Sequence, residues 1–232
     1  MIGNMGSLLD SGKKSSCENM ALDLKLLEEM RADDPPLLHF YEFSKPSATY
    51  GHFMKPELYL KGDHGLDLAR RPTGGGMLFH LWDLTFSVLI PRQFYAYSED
   101  VMENYKFIND LVLKALSLHL GKSLINLLPE EPDPLDEACK HFCFAKPTKY
   151  DVMIEGKKVC GAAQRRKPNG YLHQGSISIS SPDFSYLENL FLEKNRVIEA
   201  MKIFTYVLSE AHIIEERVAL KNSLEKIFLS SF

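Results

Sequence analysis

The chain has 232 residues, 45% of them hydrophobic and 25% charged, with a formal net charge of −4. That balance suits a globular protein able to bury its own core without disulfide or metal staples. It carries no basic stripe of the kind nucleic acid requires and no run of the roughly 20 apolar residues that crosses a bilayer. The opening MIGNMGSLLDSGKKSSCENM lacks the apolar core and small-residue cleavage site of a secretory signal. Cys17, Cys139, Cys143 and Cys160 form neither paired metal-ligand doublets nor a C-x-x-C pair. The expectation is therefore a reduced, cytoplasmic protein with no metal site, no nucleic-acid partner and no membrane partner.

In chain order, residues 1–17 are polar with scattered Gly and Ser and read as a mobile tail; residues 18–232 read as the folded domain. A helix is predicted from Asn19, with Leu22, Leu26 and Leu27 at helical spacing. LLHFYEF and Ala48–Phe53 follow as strands. Met77–Ile90 alternates in its second half, so that Leu84, Phe86, Val88 and Ile90 share the face of a core strand. A helix starts at Ser98, with an apolar stripe of Val101, Tyr105, Ile108, Leu111, Val112, Ala115 and Leu118. Residues 122–140, containing Pro129, Pro132 and Pro134, read as a surface loop. Tyr150–Ile154 and Lys158–Gln164 are predicted to pair around Glu155-Gly156-Lys157. Lys167-Pro168-Asn169-Gly170 then turns into Tyr171–Ile179, and from about residue 181 the chain is mainly helical. Strands in the middle with flanking helices imply one α/β domain around a mixed, mainly antiparallel sheet.

Three segments carry chemistry. In Arg70-Arg71-Pro72-Thr73-Gly74-Gly75-Gly76, leading to His80, the glycines let a ligand lie against the backbone and the arginines offer charge to an anion. A flexible hairpin with a solvated basic pair fits the same residues. In Gly156–Gln164, a regular strand places Lys158, Cys160, Ala162 and Gln164 on one face, and Gly161, Ala162 and Ala163 leave room for a ligand beside the lysine. Lysines are mostly solvated, so Lys158 also fits as a surface residue, and even in the pocket it is expected to pack little core. In Cys139–Pro147, Cys143 has His141 and Lys146 nearby, and such cations favour a thiolate. A buried, inert thiol is the competing reading.

Together the segments resemble the lipoate/biotin protein ligase superfamily. RRPTGGGMLFH resembles its Gly-rich signature, GKKVCGAAQRR the block carrying its essential lysine, here Lys158, and YLHQGSISI its His-Gly segment, here His173, Gly175 and Ser176. NMALDLKLLEEM and LLHFYEFSKPSATYGHF resemble the opening helix and first strands, so the match runs from about residue 18 to 180. The resemblance implies a catalytic domain that attaches a lipoyl or octanoyl group to a lysine of a lipoyl domain in 2-oxoacid dehydrogenase complexes or of the glycine cleavage H protein. It implies Lys158 and Cys143 as catalytic groups, with Arg70, Arg71, Thr73, Gly74, Gly75, Gly76, His80, Gly161, Ala162, Gln164, His173 and Gly175 around the acyl group or nucleotide. CFAKPTKYDV resembles the nucleophile block of the transferase branch, which needs no cofactor and takes its acyl group from a donor such as acyl carrier protein. The ligase branch instead uses ATP and Mg²⁺, and a non-catalytic acyl-binding module is a third reading. The chain departs from the pattern at Leu81, where the family has Asp (Asp83 lies two residues on), and at Cys160, where Ser is usual. Gly76 extends the triplet as ligases do.

Overall fold

The alternation of LTFSVLI decides the layering, because it gives one strand an apolar face and a polar one. The computed structural model describes residues 6–121, 124–193 and 196–232. Residues 1–5 of the expected tail, 122–123 of the expected loop and 194–195 of the expected helical segment lie outside these. In chain order the elements are β1 (Ser7–Lys14), α1 (Ser16–Glu29), β2 (Leu37–Phe43), β3 (Ser47–Tyr50), β4 (Asp67–Arg70), β5 (Leu78–His80), β6 (Asp83–Pro91), α2 (Val101–Leu120), β7 (Ile125–Leu127), β8 (Val152–Ile154), β9 (Lys157–Lys167), β10 (Gly170–Ser178), α3 (Phe184–Leu190), α4 (Val197–Phe204) and α5 (Ile213–Ser231). A seven-stranded sheet runs β1-β2-β6-β10-β9-β8-β7, and a small sheet runs β4-β3-β5. In the large sheet the β1–β2 pair is parallel and the other pairs are antiparallel. The fold is the expected mixed, mainly antiparallel α/β arrangement.

One face of the large sheet carries Leu84, Phe86, Val88 and Ile90 of β6, packed on Ile108, Leu111 and Val112 of α2 and Leu220, Leu224 and Phe228 of α5. The opposite face of β6 presents Asp83, Thr85 and Ser87, all buried. They lie beneath α1 and the small sheet, and that polar layer is where the site forms.

Three expectations are corrected. Ser7–Lys14 is a strand, not tail: it pairs from Ser7↔Leu37 to Lys14↔Phe43. Its side chains give little signal, but the open edge of β2 satisfies its backbone, and Ser11 Oγ binds His39 Nε2 at 2.9 Å. The first helix starts earlier, capped by a reciprocal Ser15–Glu18 box, while Asn19 bonds the Glu42 carbonyl. Within 122–140, Ile125–Leu127 joins the sheet as β7, and Glu137–His141 forms a 3-10 turn. The β8–β9 hairpin closes on Glu155 and Gly156, with φ of 52° and 77°, the left-handed pair of a two-residue turn.

Candidate active site

The hairpin that carries Lys158 does not alternate regularly. Val152 pairs with Cys160 but Met153 pairs with Lys158, so β9 holds one extra residue. A bulge of this kind lets two successive side chains share a face. Val159 and Cys160 both turn into the apolar core, and the next residue toward the site is Gly161. The expected shared face of Lys158, Cys160, Ala162 and Gln164 is therefore broken at the bulge.

Lys158 is buried, 2% exposed. Its Nζ lies 2.8 Å from Asp151 Oδ2, donates to the Cys143 carbonyl at 2.7 Å, and sits 3.6 Å from Cys143 Sγ. Burial pulls the ammonium toward the neutral form, but the Asp151 carboxylate, with Cys143, outweighs it and drives the Lys158 pKa above its ordinary value. The lysine is thus held charged in a low-dielectric site. Asp151 is itself fully buried and accepts from the Tyr105 hydroxyl at 2.7 Å, the Thr148 backbone N–H at 2.7 Å and the Thr148 hydroxyl at 3.0 Å. The preceding Tyr150 has φ of 68°, a left-handed conformation held by Asn109 donating to its carbonyl. In the sequence Tyr105 stands only in the apolar stripe of its helix, and Thr148 and Asp151 lie in CFAKPTKYDV with no role expected of them. The hairpin pairing was the available signal, since it brings the start of β8 back beside Lys158.

Cys143 is placed by the chain crossing above the glycine turn. Met77 N–H donates to the His141 carbonyl at 2.6 Å, and Cys143 N–H donates to the Met77 carbonyl at 2.8 Å. A Cβ on Gly76 would stand 2.6 Å from the His141 carbonyl carbon and oxygen, so this glycine is required by the passage of that segment. A Cβ on Gly161 would stand 2.6 Å from both Cys143 Sγ and Lys158 Cε. Its missing side chain is the space in which thiol and ammonium meet.

These groups line a cavity of about 160 Å³. Arg71, Gly75, Gly76 and His80 border it from the glycine turn and small sheet; Cys143, Lys158, Gly161, Ala162 and Gly175 border it from the other side. Arg71 is buried and its guanidinium is committed to protein oxygens: the carbonyl and hydroxyl of Thr49, and the carbonyls of Gly74 and Gly76. It shapes the turn from within; burial lowers its pKa, with Cys143 and Tyr41 opposing. His80 bonds Thr49 Oγ1 through Nε2 and Asp83 Oδ2 through Nδ1, each at 2.8 Å, and stacks on Phe43. Asp83 also accepts from Thr85 and Ser176. Burial raises the Asp83 pKa, yet His80 and these hydroxyls hold it below the ordinary value. Asp83 thus partners His80 even though Leu81 occupies the motif position.

The remaining expected site residues stand elsewhere. Arg70 is exposed beside a surface groove with Pro72 and Arg165. Thr73 is buried and donates to Gln174 Oε1 at 2.7 Å, and Gly74 serves through its carbonyl. Gln164 bonds His173 Nδ1. His173 lies on the apolar face beside Phe86 and Tyr105, and burial lowers its pKa to about 3. Strand parity explains this, because His173 alternates with Gln174, and Gln174 is the one of the two that reaches the cavity. Cys160 is fully buried with its thiol pKa raised by burial and Asp151.

The lipoyl protein ligase A/B catalytic-domain family matches residues 15–214. The chain belongs to that family. It is 34% identical over 203 residues to an octanoyltransferase LipM of Anoxybacillus flavithermus, covering 84% of this chain and 72% of the relative. It is 30% identical over 234 residues to an octanoyltransferase LipM of Bacillus subtilis, covering 97% and 84%. A crystal structure of lipoate-protein ligase A bound with ATP superposes with a TM-score of 0.74 at 24% identity, over 98% of this chain and 85% of that one. A likeness at that identity speaks to the shared fold. Among the described residues no helix is long and apolar enough to cross a membrane.

Proposed function

We propose that the protein carries an octanoyl or lipoyl group as a thioester on Cys143 and passes it to a lysine of a lipoyl carrier domain. The observation that supports this most directly is the line that runs from the buried Asp151 and Lys158 to the half-buried Cys143 at the cavity. The Cys143 thiolate attacks the carbonyl carbon of an acyl thioester, such as that on acyl carrier protein. The carbonyl π electrons move to oxygen, and the oxyanion develops beside Lys158 Nζ, which Asp151 keeps charged and aimed. Collapse breaks the old C–S bond, releases the donor thiolate, and leaves the acyl group on Cys143. The ε-amine of the acceptor lysine, in a lipoyl domain of a 2-oxoacid dehydrogenase complex or in glycine cleavage H protein, then attacks that carbonyl. It loses a proton as the amide forms, and the Cys143 thiolate leaves. A thioester donor is already activated, so this route needs neither ATP nor Mg²⁺. The octanoyltransferase relatives support the transferase reading over the ligase one.

Incubation with octanoyl-acyl carrier protein and no acceptor should add one octanoyl mass that hydroxylamine removes. Cys143→Ser should lose that adduct and Cys160→Ser should keep it. If Cys143→Ser still lipoylates an acceptor from free lipoate with ATP and Mg²⁺, the thioester reading is wrong and the protein is a ligase.

A further inference from the structure

The sheet register sets out the cavity floor. Gly161 of β9 pairs with Ser176 of β10, Ser176 with Thr85 of β6, and Thr85 with Tyr41 of β2. Directly opposed residues point to the same face, so these four form one row across the sheet. The reactive pair stands at the Gly161 end, where the missing Cβ makes room for Cys143 Sγ and Lys158 Cε. Tyr41 and Thr85, at the other end of the row, also line the cavity, as does His80 beside Thr85. With strands about 4.8 Å apart, Gly161 to Thr85 is roughly 10 Å and Gly161 to Tyr41 roughly 14 Å. With carbon–carbon bonds of about 1.5 Å, an extended eight-carbon chain spans about 9 Å.

Behind that end lies a second cavity of about 210 Å³, bordered by Lys13, Glu42, Leu81, Asp83 and Arg217. Tyr41, His80 and Thr85 border both cavities. They stand between the two, and hydrogen bonds hold His80 and Thr85 in place. His80 is tied to Thr49 and Asp83, Thr85 is tied to Asp83, and Phe43 stacks on the imidazole. A chain longer than the row would meet a hydrogen-bonded wall, and the space beyond it is charged.

We propose that Tyr41, Thr85 and His80 form the stop that measures acyl length, limiting the group on Cys143 to about eight carbons, and that opening the stop joins the two cavities. This rests on the thioester reading above. Tyr41→Ala removes the largest of the three side chains, and Thr85→Leu moves the stop toward Cys143. Each variant, checked for folding by circular dichroism, is incubated with acyl carrier protein loaded with chains of six to fourteen carbons, and the thioester on Cys143 is followed by intact mass. The wild type should prefer eight carbons. Tyr41→Ala should raise the rate with twelve carbons relative to eight at least tenfold. Thr85→Leu should shift preference to six carbons, by a similar factor, and it keeps the test open if Tyr41→Ala does not fold. A folded variant of either kind that forms the adduct with the wild-type length profile overturns the stop while leaving the thioester reading intact. A wild type that forms no adduct with any chain overturns both.

Discussion

The two faces of β6 are built from the same nine residues and do opposite work. Leu84, Phe86, Val88 and Ile90 meet α2 and α5 through shape alone. Asp83, Thr85 and Ser87 meet α1 and the small sheet through hydrogen bonds: Asp83 to His80 of β5, and Ser87 to the buried Asp23 of α1. Asp23 also accepts from His39 and from Gln174, which holds Thr73 at the glycine turn. Burial is near complete on both faces, so exposure does not separate site from core here. What separates them is the kind of contact. An apolar face tolerates rearrangement because its contacts have no direction, whereas a buried polar face fails when one partner is removed. The difference predicts that damage to the two faces can be told apart.

The largest effect belongs to Lys158. Lys158→Ala should slow thioester formation at least a hundredfold, and it should also destabilise by about 3–5 kcal/mol, because Asp151 is left buried and unpaired. This corrects the expectation that the lysine packs little core. Replacing both partners, Lys158→Met with Asp151→Leu, should recover much of the stability in a urea titration while activity stays lost. If Lys158→Ala melts like the wild type, the ion pair is not what holds this face.

Phe86→Ala tests the other face. Emptying that position should cost about 3–5 kcal/mol of unfolding free energy, yet the remaining folded molecules should form the Cys143 adduct within a few-fold of the normal rate. A Cβ on Gly175 would stand 2.3 Å from the Phe86 ring, so the residue is close enough to the cavity for a large activity loss to erase the distinction between faces.

His173 is the polar intruder on the apolar side. Its folded pKa is about 3, against an ordinary value of about 6.5. Between these values the unfolded chain binds a proton that the folded chain refuses, so stability is whole above pH 6.5 and falls as pH drops toward 3. The slope is about 1.4 kcal/mol per pH unit, or about 2 kcal/mol between pH 6.5 and 5. His173→Leu should flatten that part of the stability profile. Urea titrations at pH 7.5 and 5.0 decide it; equal losses in wild type and variant would show that His173 is not the titrating group.

The smallest effect is at Ser15, which lies on neither face. Ser15→Ala removes the α1 cap and should cost about 1 kcal/mol, with the thioester rate unchanged. A slower rate would mean that the α1 network through Asp23 reaches the site more strongly than its distance suggests.

Much of the fold was legible because it is written locally. The stripe of α2, the alternation of β6 and the Glu155-Gly156 turn depend on residues near one another in sequence. β1 was hidden because Ser-Leu-Leu-Asp-Ser-Gly-Lys-Lys has little apolar pattern, and its partner is a strand more than twenty residues away. At the site, the motifs brought forward Cys143, Lys158, Gly75, Gly76 and His80, which do converge on one cavity. The errors came from parity and pairing. His173 and Gln164 were drawn toward the site by motif position but sit on the far face, and Arg71 looked like a free charge until its carbonyl partners were placed. Asp151 lies inside CFAKPTKYDV, but nothing local in that block marks it as the partner of Lys158.

The bulge in β9 can be restated as a matter of counting. Lys158 and Gly161 are three apart, an odd number, and an unbroken strand would send them to opposite faces. The doubled step at Val159 and Cys160 makes the sum even. Two thiols of very different character are thus kept apart by arithmetic along the chain: drawn straight, the same sequence would set Cys160 beside Cys143 and turn Gly161 inward. The chain therefore holds one redundant residue at the border between site and core. Deleting Val159 would leave Lys158 and Gly161 facing the site with a regular strand between them, whereas a one-residue deletion further along, among Ala162 to Arg166, would invert the rest of the strand.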